Sequence, residues 1–111
     1  MNSLEKKQSI SLSSVAVASS ELVSANLDGE VVILGFRSGS YYGLDQVGVS
    51  VWELLQQPRK VSELRDAIFN EYDVELARCE RDLLSLLEEL AEKQLIEIKN
   101  EPANQTSFAL Q

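Results

Sequence analysis

The stretch Gly39-Ser40-Tyr41-Tyr42-Gly43-Leu44-Asp45 divides the chain into two halves of different periodicity. Before it, apolar residues alternate or run continuously in the manner of strands; after it, they recur at helical spacing. The stretch itself reads as the last strand of a small antiparallel meander. Tyr41 and Tyr42 have high strand propensity, whereas Gly43 adds no packing and permits close approach by another backbone. An edge strand that carries a glycine is an aggregation liability unless something pairs with it.

Working outward on the N-terminal side, residues 21–27, the dipeptide Asp28-Gly29 and residues 30–36 form a predicted hairpin, because Asp-Gly supplies the positive φ angles of a tight two-residue turn. Glu30-Val31-Val32-Ile33-Leu34-Gly35-Phe36 is nearly continuous in apolar and β-branched residues, as expected of a central strand. Arg37-Ser38-Gly39 then turns the chain into 40–44. Residues 10–18 alternate Ser with Ile10, Leu12, Val15 and Val17, a pattern that fits either a short strand or an extended lead-in. Residues 1–18 are expected to form a flexible or extended lead-in, with its first nine residues a loose tail.

On the C-terminal side, Asp45 stands where an N-cap carboxylate can accept from the first free amides of a helix. That helix, with Val47, Val51, Trp52, Leu54 and Leu55 on one face, ends before Pro58, and Trp52 reads as a core anchor. A second helix is predicted over about 61–72, with Val61, Leu64, Ile68, Phe69 and Tyr72 in phase. Its start is irregular, since Lys60 is a poor cap and Ser62 is the alternative. The third helix, about 75–93, carries Leu76, Cys79, Leu83, Leu86, Leu87 and Leu90 in one stripe, widened by Ala77, Leu84 and Ala91. These positions cover about half the circumference, more than the ~100° that one core requires, so a second neighbour is implied. Arg78, Arg81, Asp82, Glu88, Glu89 and Glu92 occupy the remaining, solvated face. Leu95-Ile96-Glu97-Ile98 closes the core, and residues 99–111 read as a flexible tail.

Composition narrows function. A chain of 111 residues with 44% hydrophobic residues forms one domain. No apolar run reaches the ~18 residues of a membrane span, and no apolar signal core follows Lys6-Lys7, which predicts a cytoplasmic protein. Cys79 is the single cysteine and reads as a small buried hydrophobe. The chain has no histidine, so the usual neutral-pH base and every Ser-His or Cys-His arrangement are missing. No metal spacing, phosphate-binding glycine loop or nucleophile elbow is present, and neither a cofactor nor catalysis is expected. The net charge of −8 disfavours nucleic acid and anionic membrane as partners. An antiparallel sheet followed by three helices is an α+β, winged-helix-like outline. DNA-binding regulators share it, but the acidic balance and the lack of a basic recognition helix weigh against that use. A structural subunit of an enzyme complex is a third possibility.

Ser38-Gly39-Ser40-Tyr41-Tyr42-Gly43-Leu44-Asp45, Gly48, Val51-Trp52, Leu54-Leu55, Leu64, Glu71-Tyr72-Asp73-Val74, Asp82-Leu83, Leu87, Leu90 and Leu95-Ile96 together resemble the PqqD-like family. These proteins recognise the precursors of ribosomally made, post-translationally modified peptides. The tyrosine pair and the Val-Trp-Glu-Leu-Leu run look closer to the lasso-peptide members than to the pyrroloquinoline quinone protein. The resemblance spans about 21–98 and sets the recognition domain at 19–98. Two positions depart from the pattern: Lys60 where the family often has Thr, and Gln94 where it often has Gly.

The resemblance implies a non-catalytic protein that binds the leader segment of a precursor peptide by strand addition to the third strand, above a floor made by the third helix. It would present the peptide to a modifying enzyme or leader protease. On that basis the expected contacts are Ser40, Tyr41, Tyr42, Gly43 and Leu44 on the strand and Arg78, Arg81, Asp82, Ser85 and Leu86 on the helix. Periodicity leaves open which flank of the helix faces the leader. It also leaves open whether Tyr41 and Gly43, or Ser40, Tyr42 and Leu44, turn their backbone to the free edge.

Overall fold

The computed structural model describes residues 9–100 except Glu21, Gly29 and Arg37. The segments 1–8 and 101–111, expected above to be loose, lie outside the described residues. In chain order the elements are β1 (Val15–Ala18), β2 (Leu22–Leu27), β3 (Glu30–Gly35), β4 (Tyr41–Leu44), α1 (Gln46–Leu54), β5 (Arg59–Lys60), α2 (Val61–Glu71), α3 (Leu76–Glu92) and β6 (Ile96–Lys99). The predicted meander is present as an antiparallel sheet in the order β2-β3-β4. Asp28 holds φ at 51°, the left-handed conformation that the hairpin turn requires.

A second antiparallel sheet, in the order β5-β1-β6, lies beside the first. The segment 10–18, undecided from sequence, thus supplies a central strand: Ala16 is fully buried, and Ile10 and Leu12 pack against the core ahead of position 19. Alternation alone could not reveal this role, because the ladder partners of β1 lie more than 40 residues away, Val15 opposite both Lys60 and Lys99. The apolar stop after the third helix is β6, with Ile96 and Ile98 facing the core and Glu97 and Lys99 outside.

The same long-range packing corrects the reading of the second helix start. Ser62 is not the cap. The amides of Val61 and Ser62 donate to the carbonyls of Ser14 (2.9 Å) and Leu12 (3.0 Å), so backbone from the β1 lead-in satisfies two of the helix's orphan donors. Glu63 reaches back to accept from the amide of Lys60 at 3.2 Å. Lys60 is tolerated at the cap position because its side chain is not needed there.

The core joins Ile33 and Leu44 of the first sheet to Trp52, Leu55, Leu64, Leu83, Leu87 and Leu90 of the helices and to Leu95. Arg65 on α2 clamps α3 through a 2.7 Å ion pair with Glu80. No helix among the described residues is long and apolar enough to cross a membrane.

Candidate functional site

The hairpin leading into β4 sets the geometry of the site. Gly39, at φ 70°, makes the tight turn, its amide donating to the carbonyl of Gly35 at 2.9 Å. The amide of Gly35 in return donates to the carbonyl of Ser40, also at 2.9 Å. That bond fixes the parity of the strand. Ser40 opposite Gly35 is a hydrogen-bonded pair, and pairs along an antiparallel ladder alternate. With Tyr42 opposite Ile33 and Leu44 opposite Val31, the backbone groups of Ser40, Tyr42 and Leu44 face β3. Those of Tyr41 and Gly43 face away. Among the described residues β4 has no other ladder neighbour, so two amides and two carbonyls stand on an open edge.

Side chains divide in the same rhythm. Tyr41 is 69% exposed on the outer face, and a Cβ added to Gly43 would meet nothing within 4 Å. On the inner face Leu44 is buried, and the Tyr42 hydroxyl donates to the Glu89 carboxylate on α3. That hydrogen bond, with smaller contributions from burial and from the charges of Glu89 and Asp45, pushes the Tyr42 phenol up from 10.0 to about 12. Immediately after β4, the Asp45 carboxylate caps α1 by accepting from the Gly48 amide at 2.8 Å. A Cβ at Gly48 would approach the Leu44 side chain to 3.0 Å, so glycine lets α1 pack directly against the end of the strand.

Beneath the inner face opens a groove of about 340 Å³, lined mainly by apolar side chains. Tyr42, Gly43 and Leu44 form its strand wall, and Cys79, Asp82, Leu83 and Leu86 its α3 wall. The flank of α3 that lines this groove carries Cys79, Leu83 and Leu86. Of the expected contacts, Tyr42, Gly43, Leu44, Asp82 and Leu86 line the groove. Ser40 and Tyr41 belong to the same hairpin without lining it. Arg78, Arg81 and Ser85 are exposed on α3 outside the lining, Arg78 lying 3.6 Å from Asp82 in an exposed i,i+4 pair.

The groove also recruits Val47, Gly48 and Val51 from α1, Ile68 and Tyr72 from the end of α2, and Val74 from the connection to α3. Sequence reasoning assigned most of these to helix faces and none to the site. At the α2–α3 junction, where Ile68, Tyr72 and Val74 line the groove, Phe69, Val74 and Leu76 leave apolar surface exposed. Tyr72 is held there by a 2.9 Å hydrogen bond between its hydroxyl and that of Ser50. Cys79 is buried, its thiol pushed up in pKa chiefly by that burial, and its Sγ–H points to the Arg65 carbonyl at 3.8 Å. It behaves as a small hydrophobe in the groove wall.

Fold and groove together define a class: a winged-helix-like α+β domain whose open strand edge overhangs an apolar slot, a shape complementary to an extended peptide. The chain belongs to the PqqD family, whose model, described as coenzyme PQQ synthesis protein D, matches residues 30–96. No curated protein matches it. Among solved structures, TbiB1 in complex with the TbiA(beta) leader peptide is 44% identical, with a TM-score of 0.66 over 73% of this chain and 94% of that one. A lasso peptide synthetase B1 complexed with its leader peptide is 26% identical, with a TM-score of 0.64 over 74% and 96% of the two chains. The PqqD truncation of Methylobacterium extorquens PqqCD, a stand-alone recognition element for ribosomally synthesised and post-translationally modified peptides, is 25% identical. Its TM-score is 0.67 over 80% of this chain and 95% of its own.

Proposed function

We propose that this protein is a non-catalytic recognition element that binds the leader segment of a ribosomally synthesised precursor peptide and presents it to a modifying enzyme or leader protease. The observation that carries the proposal is the open edge of β4, with the backbone groups of Tyr41 and Gly43 turned outward beside an apolar groove. A leader docked as a fourth strand satisfies those groups, and its alternate side chains enter the groove between β4 and α3. Main-chain bonds supply sequence-independent affinity, while the groove selects apolar side chains. The two related B1 structures with bound leader peptides support this reading. Chemistry is left to the partner, in keeping with a chain that has no histidine to act as a base near neutral pH.

Gly43→Pro tests the proposal directly. Proline removes the outward amide and fills the space above it, yet is compatible with an edge strand whose N–H faces solvent. With a fluorescent leader peptide of the cognate precursor, the substitution should weaken binding by at least about tenfold, since a main-chain bond is lost and a ring obstructs its neighbours. Gly43→Ala keeps the amide and places its Cβ in open space, so it should bind like the parent. Equal affinity for all three proteins would refute strand addition at this edge. A parallel titration with random duplex DNA at low salt should show no tight, salt-sensitive binding; finding it would favour a DNA-binding regulator.

A further inference from the structure

The groove beneath β4 has one closed end. Along β4 its wall begins at Tyr42, since Ser40 and Tyr41 do not line it, and along α3 it runs from Cys79 to Leu86. Glu89 lies one helical turn beyond Leu86 on the same flank. The Tyr42 hydroxyl crosses to α3 and donates to the Glu89 carboxylate, so a side-chain bridge spans the slot where both walls stop. The phenol, raised to about 12, keeps its proton at neutral pH and remains a donor. A hydrogen bond to a carboxylate is charge-assisted and among the stronger kinds. The opposite end is open: Val47 and Val74, which line it, are 36% and 37% exposed.

Strand addition alone does not fix an alignment. Main-chain bonds are indifferent to sequence, so a leader paired with Tyr41 and Gly43 can slip by two residues and recover the same backbone bonds with the same face turned inward. Successive inward side chains stand about 6.6 Å apart, whereas the α3 wall from Cys79 to Leu86 is only about 10 Å long at the α-helical rise. The slot therefore holds two inward side chains in file and not three. We propose that the Tyr42–Glu89 bridge is the register stop of the leader site, with Glu89 a positioning residue that acts through the Tyr42 ring. The inference rests on the leader-binding reading above and adds what selects one alignment of the peptide. A slip toward Tyr42 drives the leading side chain into the bridge. A slip the other way carries an apolar side chain out past Val47 and Val74 into water and leaves the closed end unfilled, which forfeits burial and contacts. The two costs together leave one alignment.

The alignment is read by photo-cross-linking. p-Benzoylphenylalanine takes the place of Tyr41, whose side chain is exposed on the outer face, and captures a synthetic leader peptide of the cognate precursor; mass spectrometry then maps the captured residue. With the bridge intact, one alignment should exceed its two-residue neighbours by about tenfold, as one hydrogen bond to a charged group allows. Glu89→Ala changes an exposed helical residue to a good helix former and should bring a second alignment to within about threefold of the first, displaced by two residues to one side only. Glu89→Gln keeps a carbonyl acceptor for the phenol and should restore the single alignment. Tyr42→Phe should reproduce Glu89→Ala, and the double variant should add nothing further, because both remove the same bond. A single alignment in folded Glu89→Ala would overturn the proposal and mark the bond as merely structural, even if the melting temperature falls. Several alignments already present with the bridge intact would also overturn it, with leader binding at this edge still standing. A leader that does not bind, or that binds without capture at position 41, refutes the leader-binding reading of the edge, and the register stop falls with it.

Discussion

Replacing the amide of Gly43 by an ester deletes one hydrogen-bond donor and leaves every side chain in place. The parity set by the Gly35 amide and the Ser40 carbonyl assigns that donor to the open edge, along with the amide of Tyr41. The amides of Tyr42 and Leu44 instead face β3. At a net 0.5–1.5 kcal/mol per bond, the two outward amides and two outward carbonyls provide about 2–6 kcal/mol of leader affinity. Each outward ester, made by semisynthesis, should therefore weaken leader binding by roughly 1 kcal/mol, about fivefold in Kd. Both esters together should give about thirtyfold if their effects add. The ester at Gly43 also weakens the Tyr42 carbonyl as an acceptor toward β3, so a loss of stability smaller than about 1 kcal/mol accompanies the change. Esters at Tyr42 and Leu44 should show the inverse pattern, with the melting temperature falling and the affinity of the folded fraction dropping by less than about 1 kcal/mol, because each only weakens the outward carbonyl of Tyr41 or Gly43 as an acceptor. Fluorescence anisotropy gives the first quantity and thermal denaturation the second. A profile without two-residue alternation, or one in which Tyr42 and Leu44 carry the affinity, would refute the assignment of the edge.

Three further outcomes are expected. Leu86→Ala removes a half-buried wall of the groove and should reduce leader affinity by about 1–2 kcal/mol in a protein that stays folded, measurable by calorimetry. Gln94 sits at φ 63° in a Schellman turn, its amide donating to Ala91 and that of Leu95 to Leu90. Gln94→Gly should thus relieve a left-handed side-chain penalty and stabilise the fold by about 1 kcal/mol, several degrees in Tm by calorimetric melting. The Tyr42 phenol is raised to about 12, so its contribution to stability is full below pH 10, the unfolded value, and lost as pH rises from 10 to 12. The difference in 295 nm absorbance titration between the parent and Tyr42→Phe should place that ionisation near 12, and Glu89→Ala should return it toward 10.

Local signals were legible without the fold. Asp-Gly between two apolar runs announces a hairpin, Asp45 before Gln46 announces a helix, and the 3.6-residue stripes of α1, α2 and α3 announce a helical half, because each depends on residues only a few positions apart. The tyrosine pair and Gly43 likewise identified the strand of interest, and the motifs around it carried the family resemblance. Lys60 at a helix start looked untidy only because its compensation, the carbonyls of Leu12 and Ser14, comes from nearly 50 residues away. β1 was ambiguous for the same reason: its pairing with Arg59 and Ile98 leaves no periodic trace in residues 15–18. The sequence by itself therefore determined the β2-β3-β4 meander, the three helices and their order, while the second sheet of β5, β1 and β6 emerged only from the fold. Tertiary structure decided which amides of β4 face outward, which flank of α3 lines the groove, and that α1 and α2 complete it. Edge parity follows from a ladder register and groove shape from the docking of three helices, and both are set by contacts between residues far apart in the chain.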